Sequence, residues 1–304
     1  KHAFLTAVDS DPNANHEFRY RKAGGEDWTT VKSGISVSAS EFSVRIDNLE
    51  PLTEYEYMFV CGNNQSRIQS FTTEDTLQVP NMNFDSWWLK KKIWYPNPEN
   101  NQPYVWDSGN DGVTTVGGPS NTEPEYEKVV KGTACHMYSK AIIGVFASGS
   151  VYTGQFLGKS GLNGTMNQGY PYTCRPTSFN GYYIYHPKTI NKAKSPYTDM
   201  KGSMDRGCIY AALLDIDEPH YLHSGKPETF IDLDKDPCVI AVARIEVGET
   251  GDEYKEFNIE FKYHDLVRVP KYVLITISSS ARGDYFTGGE GSEMYVDELS
   301  FGFE

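Results

Sequence analysis

Aromatic and planar polar side chains are concentrated in two segments of the chain, where together they could bind a carbohydrate. In the first segment, four of the five tryptophans fall between positions 87 and 106, among Asn, Asp, Gly and Pro, a composition unusual for a core strand. Sugar binding needs a flat aromatic ring against the C–H face of the sugar and polar side chains at its hydroxyl groups. The candidate carbohydrate-binding residues of this segment are Trp94, Trp106, Asp107 and Asn110.

The second segment, residues 169–186, reads GYPYTCRPTSFNGYYIYH and is rich in tyrosine. Its candidate carbohydrate-binding residues are Tyr170, Tyr172, Arg175 and Tyr182. For each aromatic residue in either segment, the alternative is packing in or beside the core. Tyr183 and Tyr185 share strand parity, which predicts that one of them is buried. Trp87 and Trp88 have opposite parity, which predicts that at least one of them is a core residue.

Composition and charge exclude several classes of protein. The chain has 304 residues and a net charge of −13. This charge would repel phosphate groups, so we expect neither a nucleic acid nor an anionic membrane surface as a partner. No apolar run approaches the ~18 residues that a membrane span needs, so we expect no membrane insertion.

The cysteines and the first residue bear on the compartment. The five cysteines are scattered and form no CxxC pair, so the sequence does not support a zinc or redox motif. The chain begins with Lys1 instead of Met, which predicts a trimmed signal or a missing preceding segment. The number of cysteines neither demands nor excludes an oxidising compartment. The sequence leaves the oligomeric state open.

Residues 1–75 are predicted to form a β-sandwich of short strands separated by polar turns. The segment at 49–55 resembles the E–F corner of a fibronectin type III domain. The spacing of the strands, among them YEYMFV, and the closing SFTTE agree with the same resemblance. In that fold a tyrosine hydroxyl bonds to backbone groups upstream, and the resemblance assigns this role to Tyr55. Residues 76–80, which end at Pro80, are predicted to be a linker.

Residues 81–304 are predicted to form a second, larger all-β domain. Several segments alternate apolar and polar residues with a period of two, and no segment has convincing helical periodicity. In the last strand the apolar positions change parity after Val296, which predicts a β-bulge at Asp297-Glu298. Strands of this number and length favour a two-sheet jelly roll. The predicted fold class is all-β, with an N-terminal fibronectin type III-like sandwich and a C-terminal jelly-roll sandwich.

A family resemblance extends over almost all of the second domain. It is carried by NFDSW at 83–87, VWDSGN at 105–110, YTG at 152–154, RPT at 175–177, GYY at 181–183, YFTGGEGS at 285–292 and YVDE at 295–298. In order and spacing, these stretches resemble the putative carbohydrate-metabolism domain of secreted and surface proteins of gut Bacteroidetes. The resemblance implies a jelly roll related to carbohydrate-binding modules, and a class of function without a particular activity. It also implies an extracellular protein or one anchored at the outer-membrane surface.

The resemblance to jelly-roll carbohydrate-binding modules also implies a metal site. In such modules the first and last strands are neighbours, and a structural calcium ion often joins them through oxygen ligands. NFDSW opens this domain and YVDEL closes it, so the resemblance assigns two of the calcium ligands to Asp85 and Asp297. The alternative is that each carboxylate caps a turn or faces solvent. Calcium is the only cofactor that the sequence implies.

No catalytic motif accompanies the candidate binding residues. The chain has no GxSxG elbow, no HExxH and no phosphate-binding glycine loop. A glycosidase needs two carboxylates about 5–10 Å apart, and none of the acids stands in a recognisable catalytic setting. The sequence therefore favours noncatalytic binding of a polysaccharide or other glycan. The alternatives are a glycoside hydrolase of an uncharacterised family, and a structural or adhesive surface protein without a sugar site.

Overall fold

The computed structural model describes residues 1–9, 15–99, 103–142 and 144–303. These residues form two compact units, Lys1–Leu77 together with Phe303, and Gln78–Gly302. Across the described ranges, no helix is both long and apolar enough to cross a membrane.

Eight strands form a β-sandwich in the described part of the first unit. They are β1 (Ala3–Val8), β2 (His16–Lys22), β3 (Thr29–Val31), β4 (Ser36–Ser38), β5 (Glu41–Ile46), β6 (Glu54–Cys61), β7 (Asn64–Gln65) and β8 (Gln69–Thr72). One antiparallel sheet has the order β1-β5-β4. The other has the order β3-β2-β6-β7, with β8 also paired to β6.

Apolar residues that alternate along these strands form the core of the first unit. Leu5, Phe18 and Phe42 are each at most 1% exposed, because every second side chain of a strand points to the same face. At the predicted corner, the Glu50 N–H donates to the hydroxyl of buried Tyr55 over 3.1 Å. This is the contact expected of a tyrosine corner. The more specific resemblance to a fibronectin type III domain stays a prediction.

The second unit contains eighteen strands among the residues that the structure describes. They are β9 (Trp88–Lys90), β10 (Ile93–Tyr95), β11 (Trp106–Ser108), β12 (Thr122–Glu125), β13 (Ala134–Tyr138), β14 (Lys140–Ile142), β15 (Val145–Ala147), β16 (Ser150–Ser160), β17 (Asn163–Gln168), β18 (Tyr170–Pro171), β19 (Ser178–His186), β20 (Gly207–Leu214), β21 (His220–His223), β22 (Val239–Val247), β23 (Lys255–Glu260), β24 (Lys262–Tyr263), β25 (Tyr272–Ser278) and β26 (Glu293–Gly302). In the same residues, helix α1 (Asn110–Thr115) follows β11, and single 3₁₀ turns lie at Thr198–Met200, Pro227–Thr229 and Gly283–Tyr285.

Two sheets account for most of the second unit. The larger sheet has the order β21-β17-β16-β25-β20-β22-β24, with β11 paired to β16 and β18 to β25. The smaller sheet has the order β12-β13-β26-β19-β23. A Cβ at Gly207 in β20 would overlap the side chain of Met294 in the smaller sheet. Residues with the parity of Gly207, such as Ile209, therefore face the smaller sheet, and their strand neighbours face away from it. This sandwich confirms the predicted all-β jelly-roll class.

The last strand contains the predicted β-bulge. Between β19 and β26, Asn180 pairs with Ser300, whereas Tyr182 pairs with Asp297, so two residues of β26 oppose one residue of β19. Glu298 lies in the bulge with a positive φ of 48°. The aliphatic core positions of β26 change parity here, from Met294 and Val296 before the bulge to Leu299 after it, because the extra residue shifts the register by one.

Candidate functional site

A cleft lies on the face of the larger sheet that points away from the smaller sheet. We call it the sheet cleft. Its floor consists of two rows of polar side chains across the adjacent strands β16, β25 and β20. The strand register places Tyr152, Thr276 and Tyr210 in one row, and Ser150, Ser278 and Cys208 in the next. The cleft has a volume of about 200 Å³. One water occupies roughly 30 Å³ in the liquid, so the cleft has room for a small organic ligand.

Apolar side chains form the walls of the sheet cleft. Phe146 comes from β15, Val113 from α1 and Phe156 from β16. Gly112 and Gly164 lie against the ring of Phe156, and a Cβ at either glycine would come within 3.1 Å of that ring. A side chain at either position would crowd the Phe156 ring, so the two glycines make room for this aromatic wall.

Asp284 is the one carboxylate in the lining of the sheet cleft among the described residues. It is exposed to the solvent in the cleft, and no described residue donates a hydrogen bond to it. Water reaches this side chain, but protein atoms around the cleft displace part of the solvent near the carboxyl group, and this desolvation raises the pKa of Asp284. Burial also raises the pKa of Tyr210 and of Cys208, and for both of them the charge of Asp284 is the next cause. The Asp284 carboxylate is therefore an acceptor that a ligand on this floor can reach.

Two hydroxyl groups on the floor have hydrogen-bonding capacity that the protein does not use. Tyr152 Oη and Thr276 Oγ1 are buried and make no hydrogen bond of normal geometry within the part of the chain that the structure describes. The Thr276 hydroxyl still lies near enough to Tyr210 to offset part of the rise in its pKa. A buried hydroxyl without a partner costs free energy, so the two groups favour a polar ligand in the cleft.

The buried carboxylate of Asp205 fixes the turn at 283–285, and this turn contains Asp284, the acid that lines the sheet cleft. Asp205 is 4% exposed, and its Oδ2 accepts hydrogen bonds from the hydroxyls of Ser280 (2.6 Å) and Ser292 (3.0 Å) and from the Gly289 N–H (2.7 Å). Burial raises the pKa of Asp205, and these hydrogen bonds offset part of the rise. Its partners lie on both sides of the turn, so the network fixes the backbone there.

Two residues predicted from the first segment lie in the core. Trp106 is fully buried, its ring lies 5.2 Å from that of Phe84, and its Nε1–H donates to the carbonyl of Pro80 over 2.8 Å. Asn110 is 1% exposed, and its amide group bonds to four backbone groups. The prediction that these two side chains contact a sugar is wrong, because both are enclosed and satisfied by the protein itself.

Asp107 is also a buried residue and not a surface ligand. It is 2% exposed and accepts hydrogen bonds from the Ser108 N–H and the Phe156 N–H, each over 2.8 Å. Burial raises the pKa of Asp107 to about 7, and these two N–H groups offset part of the rise. It pairs with Tyr152 in the strand register and lies next to the floor, beneath the protein surface and outside the lining of the cleft. Its prediction as a sugar ligand is wrong for the same reason.

The remaining tryptophans of the cluster are partly buried. Trp94 does not line the sheet cleft, and its role as a sugar ligand stays a prediction. Neither Trp87 nor Trp88 is a fully buried core residue. The Nε1–H of Trp87 donates to the carbonyl of Phe84 over 2.7 Å, and the Trp88 ring stacks on Tyr95 at 5.0 Å. The segment is therefore packed mainly against itself, with Trp106 at its centre.

The tyrosines of the second segment divide between the core and its edge. Tyr172 is 4% exposed and packs against Phe301, so its prediction as a sugar ligand is wrong. Tyr185 is fully buried, which confirms the parity argument. Tyr170 and Tyr182 are partly buried and lie outside the sheet cleft, and their role stays a prediction.

Arg175 contacts a neighbouring loop. Its Nη1 donates to the carbonyl of Arg268 over 3.1 Å and its Nη2 to the carbonyl of Asp265 over 3.4 Å. Its guanidinium also lies 5.2 Å from the centre of the Tyr263 ring. These contacts join Arg175 to the loop at 265–268, away from the lining of the sheet cleft, and its role as a sugar ligand stays a prediction.

Asp85 and Asp297 both bond to residues 130–133, through backbone N–H groups. The Thr133 N–H donates to Asp85 Oδ1 over 2.8 Å. The N–H groups of Val130 and Lys131 donate to Asp297 Oδ2 over 2.6 and 3.0 Å. Burial raises the pKa of Asp297, and these N–H groups offset part of the rise. Calcium binding by the two carboxylates stays a prediction.

None of the residues on the floor of the sheet cleft is among the candidates predicted from the sequence. A signal was present in the strands, because Ser150 and Tyr152, and likewise Thr276 and Ser278, alternate with aliphatic residues. Asp284 directly precedes the stretch YFTGGEGS that carries part of the family resemblance. The alternation places these groups on one face of a strand, but it does not tell whether other segments cover that face.

The sheets and the cleft define an all-β jelly-roll protein with a cavity of ligand size. The chain belongs to the family described as putative carbohydrate metabolism domain, whose model matches residues 83–301. This membership confirms the resemblance of the second domain to a carbohydrate-related family.

Two solved structures have a similar fold. A protein described as a putative glycoside hydrolase from Bacteroides thetaiotaomicron is 20% identical with a TM-score of 0.58, over 98% of this chain and 99% of that one. A second protein with the same description, from Bacteroides vulgatus, is 20% identical with a TM-score of 0.54, over 72% of this chain and 95% of that one. At this identity the likeness shows the fold alone. No curated protein matches the chain.

Proposed function

We propose that the second unit binds a carbohydrate in the sheet cleft without cleaving it. The proposal is carried by the lining of the cleft. The exposed carboxylate of Asp284 lies beside a floor on which the buried hydroxyls of Tyr152 and Thr276 make no hydrogen bond of normal geometry to the described residues. A saccharide presents adjacent hydroxyl groups that both donate and accept hydrogen bonds, and so matches such a floor. Membership of a carbohydrate-metabolism family supports the same class of ligand.

The walls of the cleft favour the same ligand. The C–H face of a sugar ring packs well against an aromatic ring, and Phe146 and Phe156 both line the cleft. A hydroxyl that donates to the Asp284 carboxylate makes a charge-assisted hydrogen bond, which is stronger than a neutral one. We therefore expect Asp284 to contribute most to the affinity and the aromatic walls to orient the ring.

Glycoside hydrolysis is the second candidate function. One observation favours it, because burial raises the pKa of Asp284, as it does for a general acid. A glycosidase needs a second carboxylate about 5–10 Å from the first. No other carboxylate lines the sheet cleft among the described residues, and nearby Asp107 is buried and held by two N–H groups. Binding without cleavage is therefore the better account.

A glycan array that spans host and plant polysaccharides, followed by calorimetry with the best ligand, tests the proposal. We expect Asp284→Asn and Tyr152→Phe each to weaken binding about tenfold, because each removes a hydrogen-bonding group from the floor. Glu253→Gln and Tyr221→Phe are matched controls at exposed positions outside the cleft, and they should leave the affinity unchanged.

Release of reducing sugar from the same polysaccharides distinguishes the two functions. Turnover that Asp284→Asn abolishes would assign hydrolysis to the cleft. Binding that survives both cleft variants would place the sugar site elsewhere, for example near Trp94. A protein that binds no glycan on the array would be a structural or adhesive surface protein instead.

We also propose that the protein acts outside the cell or at the outer-membrane surface, where a glycan binder meets polysaccharide. The resemblance to secreted and surface proteins supports this location. Protease treatment of intact cells, followed by immunoblotting, tests it. A surface protein is degraded under this treatment, whereas an internal protein survives until the cells are lysed.

A further inference from the structure

Three side chains that can bind a metal ion meet in the first unit, separate from the proposed carbohydrate site. Asp9 follows β1, His16 begins β2 and Cys61 ends β6. One ligand atom from each residue lies within 4.8 Å of the other two. The register of β2 and β6 places His16 directly opposite Cys61, and Asp9 approaches them from the other sheet of the sandwich.

The imidazole of His16 has a buried nitrogen that makes no hydrogen bond to the described residues. Its side chain is only 8% exposed, and its Nε2 is buried without a hydrogen bond to any of the residues that the structure describes. Asp9 Oδ2 lies 3.4 Å from this nitrogen. Leaving a buried polar nitrogen unbonded costs free energy. An ion between the three side chains would remove that cost.

Two phenylalanines hold the imidazole of His16 in place. The ring of Phe42 lies 4.1 Å from it at an angle of 35°, and the ring of Phe59 lies 5.3 Å from it at 16°. Both phenylalanines are buried core residues, so they restrict rotation of the imidazole. A ligand whose orientation is set by packing loses little freedom when it binds a metal.

We propose that Asp9, His16 and Cys61 bind a zinc ion through a carboxylate oxygen, Nε2 and Sγ. A thiolate and an imidazole favour zinc over calcium or magnesium, which take oxygen ligands. Zinc–ligand distances are about 2.0–2.3 Å, so a tetrahedral ion holds its ligands roughly 3.3–3.8 Å apart. The observed cluster needs to contract by about 1 Å to reach this geometry.

Two consequences follow from the position of the proposed zinc site. The ligands come from both sheets of the first unit, so the ion joins the sheets and raises the unfolding temperature of this sandwich. The thiolate is the binding form of cysteine, so binding at neutral pH releases the proton of the Cys61 thiol. Cys61 is far from Asp9 and His16 in sequence, and the three residues form no metal motif, which is why the sequence does not reveal the site.

Titration of the purified full chain with cobalt(II) tests the proposal, because cobalt replaces zinc and a cobalt–thiolate bond absorbs in the near ultraviolet. We expect one cobalt per chain, a thiolate-to-cobalt absorption band, and displacement of the cobalt by zinc. Cys61→Ser and Asp9→Asn should each weaken binding at least about tenfold. Cys238→Ser, at a partly buried cysteine of the second unit, is the matched control and should bind cobalt normally.

Two results would overturn the zinc proposal. One is a cobalt spectrum of the wild-type chain that lacks the thiolate band, a result that needs no variant to fold. The other is cobalt binding that Cys61→Ser and Asp9→Asn leave unchanged. Both substitutions nearly preserve the shape of the side chain. Thermal unfolding of each variant without metal checks that the sandwich still folds.

Discussion

At the scale of single residues, Trp94 and Trp106 have the same side chain but different environments. Trp106 opens β11, which pairs with β16 in the larger sheet, and its ring is fully buried against Phe84. Trp94 lies in the two-stranded pairing of β9 with β10 and is partly exposed. The two tryptophans therefore differ in what they contribute to stability.

Trp106→Ala is expected to lower the free energy of unfolding by about 3–5 kcal/mol, because it opens a large cavity. It also leaves the Pro80 carbonyl without its Nε1–H donor. Trp94→Ala is the matched control and should cost less than about half as much. Urea denaturation monitored by circular dichroism measures both values. Equal costs would contradict the difference in burial.

Asp107 makes the stability of the second unit depend on pH. Burial raises its pKa in the folded state from 3.8 to about 7. Between these values the folded chain binds a proton that the unfolded chain does not, so the free energy of unfolding falls as the pH rises through this range. Each pKa unit corresponds to about 1.4 kcal/mol, so the contribution of this residue is on the order of a few kcal/mol.

Denaturation of the wild type and of Asp107→Asn, at about pH 5 and about pH 8, measures this contribution. The wild type should lose more stability than the variant between the two pH values, because the variant lacks the Asp107 carboxyl, which must ionise while buried. An identical pH dependence in both proteins would show that the Asp107 carboxyl titrates normally.

At the scale of elements, three adjacent strands of the smaller sheet place a glutamate between two histidines. Glu293 in β26 lies 3.1 Å from Nε2 of His136 in β13 and 2.9 Å from Nδ1 of His186 in β19. The hydrogen bond with His136 is the main cause that lowers the pKa of Glu293 to about 2, and partial burial opposes it. Burial lowers the pKa of His136, but Glu123 and Glu293 together raise it above its ordinary value.

This cluster is expected to stabilise the sheet most between about pH 4.5 and 6.5, below the ordinary pKa of histidine and above that of glutamate. The lowered pKa of Glu293 means that its contribution is lost as the pH falls toward 2. The pKa of His136 is raised in the folded state, so the contribution of His136 is lost as the pH rises through this raised pKa. Glu293→Gln should therefore cost about 1 kcal/mol near pH 5.5 and less near pH 9. Thermal unfolding measures the difference, and a cost independent of pH would contradict it. Glu256→Gln, at an exposed position, is the control.

The first and last segments of the second unit both hold residues 130–133, through Asp85 and Asp297. The calcium prediction requires that EDTA lower the melting midpoint of the second unit and that added Ca²⁺ restore the midpoint of that unit. Zinc should not restore it, which separates this effect from the proposed zinc site in the first unit. An unchanged midpoint in EDTA would contradict calcium binding and indicate that backbone N–H groups alone are the partners of the two carboxylates.

At the scale of the whole molecule, the two proposed sites lie in different compact units. Asp9→Asn is therefore expected to leave glycan affinity unchanged, and Asp284→Asn to leave cobalt binding unchanged. Calorimetry with the glycan and titration with cobalt check both expectations on the same preparations. A variant that abolishes both activities would indicate a folding defect and not the loss of a site.

Much of the fold followed from local patterns. The period of two in apolar residues predicts strands, and the change of parity near Asp297 predicts the bulge, because both depend only on neighbouring positions. The corner around Tyr55 is also local, since its hydroxyl bonds to a residue five positions upstream. The candidate site was less predictable. Aromatic residues beside Asn and Asp are typical of sugar sites, but the same residues also build a core, as Trp106 and Tyr172 do.

The sequence by itself determined the all-β class, the strand periodicity and the negative charge. Only the tertiary structure decided which face of each strand is covered. Trp106 and Tyr152 lie on adjacent strands, yet the first packs into the core and the second forms the floor of the sheet cleft. Their side chains point to opposite faces of the larger sheet, because Trp106 pairs with Thr153 and not with Tyr152. Distant segments decide what each face meets, and β15, α1 and the turn at 283–285 line the cleft on the face of Tyr152. For the same reason, Asp9, His16 and Cys61 meet only when the two sheets of the first unit close on each other.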